Sequence, residues 1–252
     1  MGFGLVFFQC CAPVSVRQPL SPFGRQEISH ILSGLNDRQR QVQTIFSSGR
    51  VTLEENNSES DADFLIIGKK DPLRIKVEIT HPWGRPLFEL VINQERLEIL
   101  SFPEKRFYLG EVGGIATSSL FPGRLDGAQI WSLVRGCPVV LEHSRATSPK
   151  HGEIILLNDK SEIVQTINLH PESLLPGLVS YPDRGTGMLF SDFQRIDGIW
   201  YAAKTRWDDP GDKSVLLNTK RMVFNGVIPE SIFGLIIPPD FETVPLALEG
   251  SR

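Results

Sequence analysis

The chain has 252 residues, which allows one or two domains. With 40% hydrophobic and 22% charged residues, the body of the chain is not intrinsically disordered. Lys+Arg 26 against Asp+Glu 30 gives a net charge of -4, so no broad basic footprint exists and no nucleic-acid partner is expected.

The first residues, Met1 to Phe8, are apolar. They are far fewer than the ~20 residues that a membrane-spanning helix needs. The run ends at Cys10-Cys11-Ala12-Pro13, which has the form of a bacterial lipoprotein signal tail. In such a tail the processed chain begins at a Cys that carries lipid. Cys11 is the preferred anchor because the residue before it, Cys10, is small, whereas Phe8 and Gln9 fit badly before Cys10. Cys10 is the alternative. An uncleaved N-terminus with two idle thiols is the plain structural reading. Pro13, Pro19 and Pro22 then mark an extended tether. The expected division is an anchor and tether over 1–22 and a single domain over 23–248.

Residues 24–48 show helical spacing in Ile28, Ile31, Leu32, Leu35, Val42, Ile45 and Phe46. Gly34 and Asn36-Asp37 suggest a kink or two helices. From Gly49 the period changes to two. Leu73, Ile75, Val77 and Ile79 alternate with Arg74, Lys76, Glu78 and Thr80, the cleanest strand pattern in the chain. Further strands are expected at Arg50–Glu55, Asp63–Gly68, Leu87–Asn93, Leu97–Phe102 and Arg106–Leu109. Short gaps rich in Gly, Pro, Asn and Asp make them successive hairpins. Residues 111–124 read as a long loop, and Asp126 caps a helix to about Arg135, stopped by Gly136 and Pro138. Strands resume at Val139–Glu142, Glu153–Leu157, Ile163–Leu169, Gly187–Phe193, Ile199–Thr205, Val215–Asn225 and Leu235–Ile237. Asp197-Gly198 is a strong hairpin turn.

About eleven strands and two helices predict a mainly β fold. One large curved antiparallel sheet turns its apolar face inward, and helices cover the opening. The inward set is Phe64, Ile66, Ile75, Val77, Ile79, Phe88, Leu90, Ile92, Leu97 and Ile99, with Trp131 on the second helix. These residues either fill a core or line a pocket for an apolar ligand. The turn His81-Pro82-Trp83-Gly84-Arg85 lies between two of the strands. Its Trp83 either folds back on the core or projects toward a membrane interface, with His81 and Arg85 beside it to meet phosphate head groups.

The run Leu73-Arg74-Ile75-Lys76-Val77-Glu78-Ile79-Thr80-His81-Pro82-Trp83-Gly84, continuing into Pro86-Leu87-Phe88-Glu89-Leu90, resembles the LolA/LolB lipoprotein-localisation carriers, most of all the outer-membrane member LolB. That family has an alternating strand, an Asn-Pro-Leu-Gly-type turn and a second alternating strand. A helix like Leu125–Gly136, ending in Gly-x-Pro, follows at a similar distance. The resemblance covers roughly residues 25–140 and rests on the order of elements. It implies an unclosed eleven-stranded β-barrel with a helical lid and an acyl-binding cavity. It implies as partners the acyl chains of lipids or lipoproteins, a periplasmic lipoprotein carrier and the bacterial outer membrane. Where LolB carries a protruding leucine for lipoprotein delivery, this chain has Trp83. Ala12 after Cys11, rather than Asp, points by the same analogy to the outer membrane. The stretch Asp183–Asp212, rich in Gly and Asp, departs from the LolB pattern.

Catalytic chemistry finds no support in the sequence, and neither an enzyme activity nor a cofactor is expected. His30, His81, His143, His151 and His170 form no close metal-binding pattern. Gly-x-Ser-x-Gly and phosphate-binding Gly loops are missing. Asp208, Asp209 and Asp212 fit a solvated turn around Pro210-Gly211 better than a cation site. Cys137 reads as a small buried residue. The second functional reading keeps the fold and makes the protein a lipid- or glycolipid-binding module, or an envelope scaffold with a filled core.

Overall fold

The computed structural model describes residues 21–56, 58–112, 125–211 and 213–246. The anchor candidates Cys10 and Cys11, most of the tether, most of the loop expected at 111–124, and Asp212 lie outside the described residues.

The first helix, α1 (Arg25–Arg40), begins where the Gly24 amide donates to Glu27 Oε2 at 2.7 Å. Arg38 and Arg40 sit in its last turn, where cations favour the helix dipole. Ile28, Leu32, Leu35 and Gln39 are its buried stripe. Gly34 does not interrupt it. The expected helix to residue 48 is corrected: the chain leaves the helix after Arg40, and Ile45 and Phe46 belong to β1 (Thr44–Glu55). Inward positions then recur every second residue, at Ile45, Ser47, Gly49, Val51 and Leu53, so the apolar residues after position 41 were following a strand period.

β2 (Ser58–Lys69), β3 (Arg74–Thr80), β4 (Pro86–Asn93), β5 (Arg96–Ser101) and β6 (Arg106–Glu111) continue as an antiparallel meander. After α2 (Gly127–Arg135) comes a second meander. It comprises β7 (Arg145–Thr147), β8 (Glu153–Leu157), β9 (Ile163–Leu169), β10 (Pro176–Tyr181), β11 (Thr186–Ile196), β12 (Ile199–Asp208) and β13 (Lys213–Phe224). β1 pairs with β13 from Ile45 opposite Phe224 to Glu55 opposite Lys213, which joins the meanders into one sheet. β14 (Glu242–Pro245) adds beside β6, in the one parallel pairing among the described residues. The resulting 14-stranded sheet runs from β14 to β7, and these two outer strands have no further strand partner among the described residues. This is the unclosed, curved, mainly β architecture expected.

The strand count rises from about eleven to fourteen because β7, β10 and β14 carry no pattern of their own. β7 has three residues, β10 opens with Pro176-Gly177, and β14 has four residues and pairs in parallel. Two expected strands are corrected. Residues 139–142 form no ladder, because Gln165 binds them instead: its Oε1 accepts from Leu141 N at 3.0 Å and its Nε2 donates to Val139 O at 2.9 Å. Residues 235–237 form no ladder and belong to a strap that packs on the outer face of the sheet. In that strap a 3-10 turn, Glu230–Phe233, seats Phe233 on Ile67 and Val91, and Glu230 meets Lys69 and Arg74. Asp197 and Gly198 both adopt positive φ, 49° and 83°, between β11 and β12, as a type I′ hairpin requires.

α2 lies against the concave face. Asp126 accepts from Gln129 N at 2.8 Å and its own amide donates to Gln129 Oε1 at 3.1 Å, a closed capping box. Gly136 ends the helix at φ 69°, and its carbonyl accepts from Ala202 N at 2.7 Å. A Cβ at Gly136 would stand 2.5 Å from Ala202 O, so only glycine lets the helix end dock on β12. Arg135 is fully buried beside it. Its Nη1 donates to Trp200 O at 3.2 Å and its Nη2 to Arg38 O at 3.0 Å, while its guanidinium stacks 5.6 Å from the Phe224 ring. This side chain ties both helices to the sheet. No helix among the described residues is long and apolar enough to cross a membrane.

Candidate functional site: an apolar cavity under the second helix

Strand register arranges the inward side chains in rows across the first meander. The deepest row is Ile45, Gly68, Ile75, Ile92 and Leu97. The next is Ser47, Ile66, Val77, Leu90 and Ile99, and the third is Gly49, Phe64, Ile79 and Phe88. Beyond them Val51 faces Ala62 and Leu53 faces Ser60, with Leu217 and Val215 of β13 alongside. Ile130, Leu133 and Val134 of α2 face these rows. Between helix and sheet is a cavity of about 320 Å³. Every lining residue except Ser60 and Asp61 is apolar. Asp61 alternates with Ser60 and Ala62, and its carboxylate takes the Thr52 hydroxyl at 2.6 Å.

One end of the cavity is closed. Ile45, Ile75, Leu97 and Trp131 are fully buried there. Gly68 permits this packing, since a Cβ would come 2.9 Å from Ile45 Cγ1 and 3.2 Å from Trp131 Cζ3. The lining continues in the opposite direction to Leu53, Ser60, Ile79, Leu87 and Val215. These positions lie at the sheet end that carries the β3–β4 turn. Leu125, just before the cap of α2, lines the same end. There Arg184 pairs with Asp126 at 3.1 Å and donates to Gln129 Oε1 at 2.9 Å, which fastens the helix start to the turn after β10.

The β3–β4 turn presents Trp83. His81 N donates to Arg85 O at 2.8 Å and Gly84 N to His81 O at 2.7 Å, with Gly84 at φ 81°. The His81 ring lies 4.8 Å from the Trp83 ring, and this small framework leaves Trp83 91% exposed. Pro82, Gly84 and Arg85 are exposed as well, and His81 is half-buried. Of the two orientations open in the sequence, the projecting one is found. Trp83 thus projects from a closed turn at the sheet end that the cavity lining reaches through Ile79 and Leu87.

No protein-family model matches the sequence, and no curated protein matches it. Solved structures do match in shape. A DUF1329 family protein from Desulfovibrio piger superposes with a TM-score of 0.57 at 12% identity, covering 81% of this chain and 95% of that one. A LolA superfamily protein from Nitrosomonas europaea superposes with a TM-score of 0.50 at 14% identity, covering 82% and 97%. The fold is LolA-like. The shared fold agrees with the fold that the resemblance of the strand–turn–strand run implied.

Within this LolA-like frame, eight of the sequence-expected cavity residues line the space: Phe64, Ile66, Val77, Ile79, Phe88, Leu90, Ile92 and Ile99. Ile75, Leu97 and Trp131 are not in the lining; they form its packed end. From α2 it is Ile130, Leu133 and Val134 that face the cavity. Sequence reasoning missed Val51, Leu53, Ala62, Leu87, Val215 and Leu217. The alternation of Val51 and Leu53 and of Val215 and Leu217 was a usable signal. What was missing was the β1–β13 pairing that brings them together.

Proposed function

We propose that the protein is a lipid-anchored envelope protein of the bacterial outer membrane, on its periplasmic side, that takes acyl chains into the cavity and assists lipoprotein insertion or localisation. The observation that carries this reading is an apolar cavity of about 320 Å³ whose lining reaches Ile79 and Leu87, at the sheet end where the turn presents an exposed Trp83. A cavity of roughly 150 Å³ lined by Leu, Ile and Phe stays dry and holds benzene, so by ratio this one has room for roughly a dozen carbons. At about 0.8 kcal/mol per methylene they contribute about 10 kcal/mol gross. Association costs of about 4 kcal/mol or more leave a hold weak enough for release, which transfer requires. Cys11 would supply the anchor, and a periplasmic lipoprotein carrier would deliver the cargo.

Lipoprotein transfer into outer-membrane vesicles tests the reading with wild type and Trp83→Glu. The expected result is strongly reduced transfer by the variant at unchanged stability. Equal transfer removes the role of the Trp83 turn. Absence of any bound or transferred acyl chain in the wild type removes the carrier role altogether and leaves a scaffold.

A further inference from the structure

A second cleft, of about 920 Å³, lies between α1 and the edge strand β7. One wall is a single stripe of α1, from Arg25 and Ile28 through Leu32 and Asn36 to Arg40. The other is the unbroken run His143 to Ser148, which contains β7. We propose that this cleft is a docking groove for an extended acidic peptide segment of a partner protein, which adds to β7 as a further strand. The proposal stands apart from the acyl cavity and does not depend on it.

Three observations carry it. The first is the edge itself. β7 has no strand partner on its outer side among the described residues, and Arg145 and Thr147 are exposed. Such an edge offers backbone donors and acceptors to an incoming strand.

The second is fit. Sixteen helical residues span about 24 Å at 1.5 Å each, the length of about seven residues of extended chain. The three residues of β7 face the middle of such a segment over about 10 Å. Ile28, Leu32 and Ala146 give the groove an apolar floor for alternate side chains.

The third is charge. The chain as a whole carries -4, yet Arg25, Arg40 and Arg145 line the groove against the single carboxylate of Asp37. Asp37 is itself engaged by Arg40 at 3.9 Å. A local excess of cations on an acidic protein favours an acidic partner and disfavours the basic segments that the remaining surface attracts.

Fluorescence anisotropy tests this with a labelled heptapeptide of alternating Asp and Val, titrated with the full chain in detergent. The expected result is saturable binding that weakens with salt and falls by about tenfold or more in the Arg25→Glu, Arg145→Glu double variant. The same heptapeptide with Lys for Asp is expected not to bind the wild type, a comparison that needs no variant to fold. Backbone exchange at 145–147 should slow when the acidic peptide is present. Equal binding of both peptides, or unchanged affinity in the double variant, overturns the proposal. So does the absence of exchange protection at β7. Two other occupants are also read directly. Arginine-dependent binding of anionic vesicles in place of the peptide, or an arginine-dependent dimer of the chain, overturns the peptide assignment.

Discussion

If the apolar cavity takes acyl chains as proposed, filling its middle with one ring should shorten the chain that fits. Val77 lies in the central row between Ile66 and Leu90, and its side chain faces α2 across the empty space. Val77→Phe adds about four carbons, or roughly 100 Å³ at the scale of a benzene-sized cavity. That is about a third of the 320 Å³ available. In the wild type, affinity for a series of single-chain amphiphiles should rise about fourfold per added methylene, at about 0.8 kcal/mol each. It should level off near a dozen carbons. In Val77→Phe the plateau should begin about four carbons earlier. A twelve-carbon chain then loses about 3 kcal/mol, roughly a hundredfold. Titration calorimetry across the series reads both plateaus. Stability supplies an independent check. A ring entering open space leaves the urea midpoint nearly unchanged, whereas overpacking a filled core costs about 1–3 kcal/mol. Identical plateaus in the two proteins, or a destabilised variant, would refute the reasoning that this space is open and takes the chain.

Burial on β10 pushes the Tyr181 phenol up to about 12 from its ordinary 10. The unfolded chain deprotonates first, so between those values it binds fewer protons than the folded chain, and stability falls as pH rises. The loss is about 1.4 kcal/mol per pH unit, about 3 kcal/mol in all, and is absent below about pH 10. Urea midpoints at about pH 9 and pH 11.5 should show this leg reduced in Tyr181→Phe; burial raises Tyr201 and Tyr108 in the same direction, so part of it persists. An equal loss in the variant would remove Tyr181 as its source. At the seam of the two meanders, a Cβ on Gly49 would stand 2.1 Å from Asn218 O and 2.9 Å from Thr219 Cα. Gly49→Ala must therefore part β1 from β13 and should cost about 3 kcal/mol. Gly34→Ala, with nothing within 4 Å, should stabilise α1 by about 0.5–1 kcal/mol. Denaturant midpoints that move together for both variants would contradict the close approach at Gly49.

The parts of the fold legible in the sequence were those decided within ten residues. β3 showed its alternation because apolar residues on the inner face alternate with half-buried, ion-paired charged residues on the outer face. α2 showed its ends because Asp126 and Gly136 each perform a local backbone task. The turn of Asp197-Gly198 was legible for the same reason. The illegible parts depend on partners far along the chain. Residues 139–142 look like a strand, yet a buried Gln165 side chain takes their hydrogen bonds. The end of α1 was overrun because Val42, Ile45 and Phe46 satisfy a helical period by accident, while the pairing of Ile45 with Gly68 and Phe224 decides their state. β14 exists only because the strap returns the chain to β6.

The cavity shows the same division between phase and depth. Alternation fixed which residues face inward, and so eight of the named positions fall in the lining. Alternation carries no information about where along a strand the inside is filled and where it is empty. That is set by what sits opposite each row. Gly68 lets Trp131 press onto Ile45, and the space is closed there. One row farther along, Ile66, Val77 and Leu90 face the narrower Ile130, Leu133 and Val134 side of α2, and a gap opens. The register of a helix against a sheet sixty residues away therefore chooses between a core and a pocket. The polar fastening of that helix, with Arg135 at one end and Arg184 at the other, holds it at this register. The proposed carrier needs a cavity that persists between cargoes, and polar clamps at both ends of the covering helix oppose its collapse.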